Sequence, residues 1–398
     1  MPNPIALLRS SPAVSLLPDD ILMDVFMRLP PEPGHLLAAS LVCRRWSRVA
    51  RDRTFLGKFR EFHRTPPMLG YFENAWTATR CSPSSDDDSA RFIPIAAAAA
   101  AAAAARPRFS LPTPMRVVKD CRHGLVLLYS HADSVLVVWD PMSGDTRRVR
   151  APCAPSEFTV SAALVCGADD HTGGRARPFK IVFVSAYDNA DSALTGSCVF
   201  SSDTGAWSDM TMIHAAAPIT SLAGALVGDA VNWLLNTVGD HDNRILEVGQ
   251  SGQRMAVIQP PPDILENYEM VRVMRAVDGG VGFVGVHEDE CSLHFWSRRF
   301  VDGRGVSWWA LIRVADLRGF TLPDVLAEDL CMLAAVVGVS EFEDVLFMES
   351  QAGVFMIDIT ATKVTKVSHD LRGQSVFPYA SFYKRGRDIV GIDDRALQ

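Results

Sequence analysis

Two hydrophobic periods divide the 398-residue chain. From Leu17 to Ala50 apolar residues recur at helical spacing. Pro18 followed by Asp19 and Asp20 reads as a helix start, because proline tolerates the first turn and carboxylates favour the positive end of the dipole. Ile21, Leu22, Val25, Phe26 and Leu29 then make one wide stripe. The run PPEPG stops this helix. A second helical run follows from about His35, and a third carries Cys43, Trp46 and Val49 on one face. Arg44, Arg45, Arg48, Arg51 and Arg53 fall mostly off that face and are expected in solvent.

From Met115 onward the period changes to short apolar runs broken by Gly, Asp and Asn. Residues 123–149, 180–210, 229–257, 280–312 and 345–367 each read as strand, polar turn, strand, tight turn and strand. Asp140, Asp203, Glu247 and Asp358 precede the last turn in four of them. Such a unit, recurring irregularly at about 40–60 residues, is the spacing of propeller blades. A parallel α/β fold would need crossover helices that this pattern lacks. A β-propeller of about six blades is predicted, with an unusually large β-sandwich as the alternative. Met68 to Phe72 reads as a first strand, and the closing FPYASFYKRG is expected to pair with it and remove a free edge.

Between them, residues 80–108 read as a low-complexity surface insert holding ten alanines from Ala96 to Ala105. An isolated helix of that length is marginal in water, and this one has no amphipathic face.

The helical front has roughly 45 residues, near the lower limit for an independent core. Two readings follow: an exposed apolar patch serving as a partner surface, or helices packed onto the rest of the chain.

Composition narrows the function. Hydrophobic content of 48% with 21% charged residues is that of a globular protein. A formal net charge of −7 argues against a general nucleic-acid binder. No uninterrupted apolar run is long enough for a membrane span, and MPNPIALLRSSPAVS has too short an apolar run for a signal peptide. Eight scattered cysteines, none in a C-x-x-C pair, suit reduced thiols in cytosol or nucleus.

Candidate chemistry is sparse. Gly280 to Gly285 matches G-x-G-x-x-G, but the residues after it read as a turn and a strand, whereas a dinucleotide site needs a helix there. Cys291 with His294, and Cys121 with His123, are lone pairs where a structural zinc wants four ligands. Neither G-x-S-x-G nor H-E-x-x-H occurs. No catalytic, cofactor-binding or metal-binding residue is expected. Trp139, Trp207, Trp233, Trp296, Trp308 and Trp309 fall near strands and read mostly as blade packing, some as partner contacts. His287 to Glu290, HEDE, reads as a solvated turn.

The ordered motifs L-P-D-D-I-L-x-x-V-F-x-R-L-P and H-L-L-A-A-S-L-V-C-R-R-W resemble an F-box. The resemblance implies three helices that dock an Skp-type adaptor, which joins them to a cullin-based ubiquitin ligase. By position, the contact residues would be Leu17, Pro18, Ile21, Leu22, Val25, Leu36, Val42, Cys43 and Trp46, with Phe26 and Leu29 shared between interface and core. V-x-x-C-R-H-G-L-V-L-L, V-V-W-D-P-M-S-G-D and V-N-W-L resemble the F-box-associated propeller-like domains of plant, especially grass, F-box proteins.

The implied organisation is an F-box at 14–60, a connector at 61–67 and a propeller at 68–398. The implied function is substrate recognition for a ligase: the helices hold the adaptor and the propeller holds an unknown protein target. The alternatives are a propeller enzyme or small-ligand sensor with an incidental F-box, and an F-box protein acting outside a ligase.

Overall fold

A computed structural model describes residues 17–74, 90–95, 111, 117–152, 158–167, 178–189, 192–214, 223–235, 244–260, 271–287, 290–300, 307–322, 327–331, 334–341, 344–368 and 375–383. The described residues open with α1 (Asp19–Met27), α2 (Pro33–Ser40), α3 (Arg44–Ala50) and α4 (Arg53–His63). Pro18 sits at the N-cap of α1, with Asp19 and Asp20 in its first turn. The proline run that ends α1 also starts α2, whose Pro33 occupies a first-turn position. Cys43 caps α3 by accepting the Trp46 amide. Asp52 caps α4 through the Phe55 amide at 2.9 Å. Three helices were predicted and four are present among the described residues: α4 runs into the segment read as connector, and buries Phe55, Leu56 and Phe59.

Strands β1 (Met68–Glu73) and β2 (Arg91–Pro94) follow, and then five consecutive antiparallel blades. Blade one is β3 (Val117–Arg122), β4 (Leu125–Ser130), β5 (Val135–Trp139) and β6 (Thr146–Arg150). Blade two is β7 (Phe158–Cys166), β8 (Phe179–Asn189) and β9 (Ser192–Ser201), with β10 (Ala206–Trp207) and β11 (Thr211–His214) both paired to β9. Blade three is β12 (Ala225–Val227), β13 (Ala230–Leu235), β14 (Arg244–Gly249) and β15 (Met255–Ile258). Blade four is β16 (Arg272–Arg275), β17 (Val281–His287), β18 (Ser292–Phe300) and β19 (Ser307–Asp316). A short helix, α5 (Ala327–Cys331), precedes blade five: β20 (Ala335–Val339), β21 (Val345–Ser350), β22 (Gly353–Asp358) and β23 (Lys363–Ser368).

The last strand, β24 (Val376–Ala380), returns to pair with β1, and the sheet β2-β1-β24 completes a six-bladed ring. The predicted pairing of the two chain ends is therefore present, with Tyr71 opposite Pro378 and Phe72 opposite Phe377. One expectation changes. Arg91–Pro94, read as part of a surface insert, is a strand of the closing blade, with Phe92 opposite Phe72. Gly70 makes this pairing possible, since a side chain there would collide with the Ile93 carbonyl. The alanine run at 96–105 lies outside the described residues.

Each three-strand unit read from the sequence is the outer part of a blade, and the innermost strand before it was not recognised. The inner strands contact one another around the axis: β24 with β3, β3 with β7, β12 with β16, and β16 with β20, which meets β24 again. Both faces of a blade are buried, so alternate residues enter different cores. Leu125, Leu127 and Tyr129 face blade two, whereas Val126 and Leu128 face the closing blade. Hence stretches such as LVLLY are apolar without a break.

Candidate functional site

The helices build one closed core and one open surface. Leu22, Phe26, Leu36, Val49, Phe55, Leu56 and Phe59 fill the interior. Tyr383 and Phe382, which follow β24, complete it, and the rings of Phe59 and Phe382 meet edge to face at 6.3 Å. The helices thus also pack on the rest of the chain. Asp19 ties the start of α1 to α3 by accepting from Arg45 Nε at 2.7 Å, and Arg45 also donates to the Leu17 carbonyl. This fixes the outward side of α1, where Ile21 is 43% and Val25 46% exposed.

Leu41, just past α2, is 68% exposed. Of the other residues expected at an interface, Pro18 and Cys43 are exposed, and Leu17 and Val42 are half-buried. Trp46 is half-buried with its ring 5.2 Å from Phe26. Leu22 and Leu36, each 1% exposed, are a correction: they belong to the interior and support the surface from below. Phe26, read as shared, is also interior, and Leu29 packs partly against it. Leu41 was missed. Its signal was its position two residues past the buried Ala39, off the stripe of α2.

The ring has two faces, and the topology assigns its loops. The chain enters β1 from Pro67 and leaves β24 toward Ser381, whose amide donates to the Pro67 carbonyl at 3.2 Å. This is the end of the ring where first strands turn into second strands, and it carries the helices. The same proximal face holds the His123-Gly124 turn, whose two residues have φ of 54° and 70°. The links from one blade to the next and the turns between second and third strands lie on the opposite, distal face. His287, Glu290 and Cys291 are there.

Polar side chains of β3 tie blade one to blades two and three. Asp120 accepts from the Leu164 amide at 2.7 Å and from Arg122 Nε at 2.9 Å, and Arg122 also donates to the Gly224 carbonyl. Burial raises the Asp120 carboxyl from its ordinary value, against the opposing pull of Arg122. Lys119 Nζ donates to the Val160 carbonyl at 2.8 Å. Across the ring, Arg272 donates from Nε to the Val336 carbonyl at 2.8 Å and from Nη2 to the Val337 carbonyl at 2.6 Å.

The F-box-like family fits residues 14–56, and the family described as F-box protein At3g26010-like, beta-propeller fits residues 102–326, more than half of the 398-residue chain. The chain belongs to that F-box β-propeller family. An F-box domain generally binds an Skp-type adaptor, and an F-box joined to this propeller fits a substrate-recognition adaptor in general. No curated protein matches the chain.

Solved structures with some likeness include the nidogen/laminin complex, with 11% identity over 80% of this chain and 100% of that chain, at a TM-score of 0.36. The apo AztD of Citrobacter koseri shares 12% identity over 68% of this chain and 62% of its own, at 0.31. The PQQ-bound aldose sugar dehydrogenase of Streptomyces coelicolor shares 9% over 66% and 81%, at 0.33. Likeness this low supports no argument about function.

The remaining motifs resolve into structure. Gly282 and Gly285 lie within β17, which hairpins into β18, so no helix follows to receive a pyrophosphate. Cys291 is buried, and His294 hydrogen-bonds Ser292 Oγ at 2.9 Å and Glu290 Oε2 at 3.0 Å while stacking on His287. His123 lies 3.5 Å from Glu341. Among the described residues no group of three His, Cys, Asp or Glu is placed to hold a metal. Trp139 and Trp233 are core residues, Trp207, Trp296 and Trp309 are half-buried, and Trp308 is exposed on β19. Glu288 and Asp289 of the HEDE turn lie outside the described residues.

Proposed function

We propose that this F-box propeller is the substrate-recognition subunit of an Skp–cullin–F-box ubiquitin ligase. The helices would hold the adaptor through Pro18, Ile21, Val25, Leu41, Val42 and Cys43, and the distal face of the ring would hold the target protein. One observation carries this reading: the helical core is already complete, yet Ile21, Val25 and Leu41 stand in solvent. No catalytic residue is required, because ubiquitin transfer would be the work of other subunits. A plant origin and a cytosolic or nuclear location belong to the same proposal.

The test is copurification with an Skp-type adaptor and a cullin. Ile21→Asp with Val25→Asp places two charges on exposed positions. The expected result is loss of adaptor capture, at least about tenfold, with unchanged melting of the protein. Full adaptor capture by this double variant would sink the docking assignment.

A second reading, a small-ligand sensor, has one observation in its favour. A mostly apolar cleft with a cavity volume of about 40 Å³ lies between blades four and five. Met274, Val277, Phe295 and Trp296 line it, with Arg313 and Asp344 paired at 3.0 Å.

A further inference from the structure

Among the described residues every blade ends in an outer strand with one open edge. In five of the six, that edge is shielded against pairing. β6 presents Arg147, Arg148 and Arg150, and β23 presents Lys363 and Lys366. β2 starts at Arg91 and stops at Pro94. β10, β11 and β15 have at most four residues each. β19 is the exception. It runs for ten residues, and among the described residues it pairs with β18 alone. Its charges are Arg313 and Asp316, and both are engaged within the chain. Arg313 Nη1 donates to Asp344 Oδ2 at 3.0 Å, and Asp316 Oδ1 accepts from the Arg318 amide at 3.0 Å.

Register with β18 sorts the side chains of β19 between its two faces. Trp309, Leu311 and Val314 stand opposite Arg298, Trp296 and His294, on the face turned to blade three, where Trp309 and Trp296 pack with Ile245 and Ile258. Trp308 stands opposite Arg299, on the other face. Ile312 has no partner on β18, and this bulge changes the phase between the two halves of the strand. Trp308 is 54%, Leu311 43% and Val314 50% exposed. The strand is therefore apolar and open on both sides of its free edge. A flat partner would need one apolar side only. An edge apolar on both sides fits a further strand in the plane of the sheet, which carries side chains on both of its own faces.

We propose that β19 pairs antiparallel with β19 of a second copy, giving a two-fold symmetric dimer in which the blade-four sheets run together. The strand is complementary to itself. With the two bulges side by side, Trp309 falls opposite Val314 of the partner subunit and Trp308 opposite Ala315 of the partner subunit. Ser307 falls opposite Asp316 of the partner subunit, and Ala310 opposite Arg313 of the partner subunit. No two like charges face each other, so the net charge of −7 does not oppose the pairing at this contact. Antiparallel strands turn the rings head to tail: the distal face of one copy lies beside the proximal face of the other, and the helical units stand at opposite ends of the dimer. Two strands of about 33 Å make an interface at the low end of the stable range of about 1,200–2,000 Å², so the dimer should be weak, with a Kd on the order of micromolar.

The test is analytical sedimentation of the full chain between about 1 and 100 µM. The native protein should pass from monomer to dimer over that range. Leu311→Lys with Val314→Lys gives exposed positions the kind of charge that shields β23, and should raise Kd at least about thirtyfold with unchanged melting. Trp308→Lys should act in the same direction from the other face. Leu311→Ile keeps the edge apolar and should leave the dimer intact. Ile21 and Val25 are exposed as well, so the measurement is repeated with Ile21→Asp and Val25→Asp, where the dimer should persist. Hydrogen exchange locates the contact: amides of β19 should gain protection as concentration rises, and those of β6 and β23 should not. A chain monomeric throughout, a dimer undiminished by the lysine variants, or a dimer lost with the aspartate pair would overturn the proposal. A monomer whose lysine variants lose target capture would overturn it too, and would give the edge to a strand of the target.

Discussion

Replacing Tyr383 by alanine should melt the helices and leave the ring folded. Tyr383 is 6% exposed inside the helical core, beside Phe59 and Phe382. It takes no part in the two clusters through which β24 joins its neighbouring blades. Truncating a buried aromatic costs about 3–5 kcal/mol, the lost transfer energy together with the cavity left behind. A helical unit of about 45 residues, at about 0.05–0.15 kcal/mol per residue, has only about 2–7 kcal/mol to lose. One side chain from the far end of the sequence therefore holds a large share of that unit's stability.

Hydrogen exchange read by mass spectrometry gives the answer segment by segment. Amides of α1, α3 and α4 should lose most of their protection, while β4, β8, β13 and β21 keep theirs. Tyr383→Phe preserves the ring and should change little. Helices as protected in the alanine variant as in the native protein would refute the claim that the tail completes their core. Simultaneous loss in helices and strands would show that the two units melt as one.

Two more predictions can be checked with the purified protein. Burial lowers the ammonium of Lys119 from 10.5 to about 8, so between those values the unfolded chain binds the proton that the native one has released. The penalty for burying the charge is thus fully present below pH 8 and relieved as pH rises to 10.5. The stability of the native protein relative to Lys119→Met should therefore climb by about 3 kcal/mol across that window in phosphate-free buffer. Urea melts at three pH values would detect it, and a flat difference would contradict it. Deleting Ala96 to Ala105 should change Tm little, because loop-closure entropy costs only about 0.6 kcal/mol per doubling of length; a large fall would mean that the run is packed.

The readable parts of the fold were those with a strong period. α1 and the outer strands of each blade announce themselves because their apolar residues repeat over enough positions. The inner strands escaped for opposite reasons. Ala225–Val227 is too short to show a period, and Val117–Arg122 contains three charged residues whose partners come from distant parts of the chain. Arg91–Pro94 was hidden by its polar neighbours, although Phe92 packs on Phe72 and Tyr379. In α4 the buried Phe55, Leu56 and Phe59 stand among Arg53, Lys58, Arg60 and Glu61, and its charges obscured its stripe.

The solvent-facing apolar side of α1 was legible as a stripe but not as a face. Ile21 and Leu22 are adjacent and equally apolar, and only the position of Phe55 and Tyr383 decides that one is outside and the other within.

The closing strand performs two tasks that depend on each other. β24 seals the ring against β1, and the residues that leave it, Phe382 and Tyr383, enter the helical core. The helices are consequently held to the ring twice: covalently through the segment from His63 to Met68, and by the tail. The Ser381 amide on the Pro67 carbonyl joins the two connections at the point where they leave the ring. A single connection would let the helical unit swing, as linked domains ordinarily do. Two connections at one face remove most of that freedom. A strand of five or six residues spans roughly 17–20 Å, so a partner on α1 and one at the distal mouth are separated by at least the thickness of the ring. That separation is fixed by β24 more than by the linker, and a change that loosens the tail should alter the relative position of two bound partners before it weakens the binding of either.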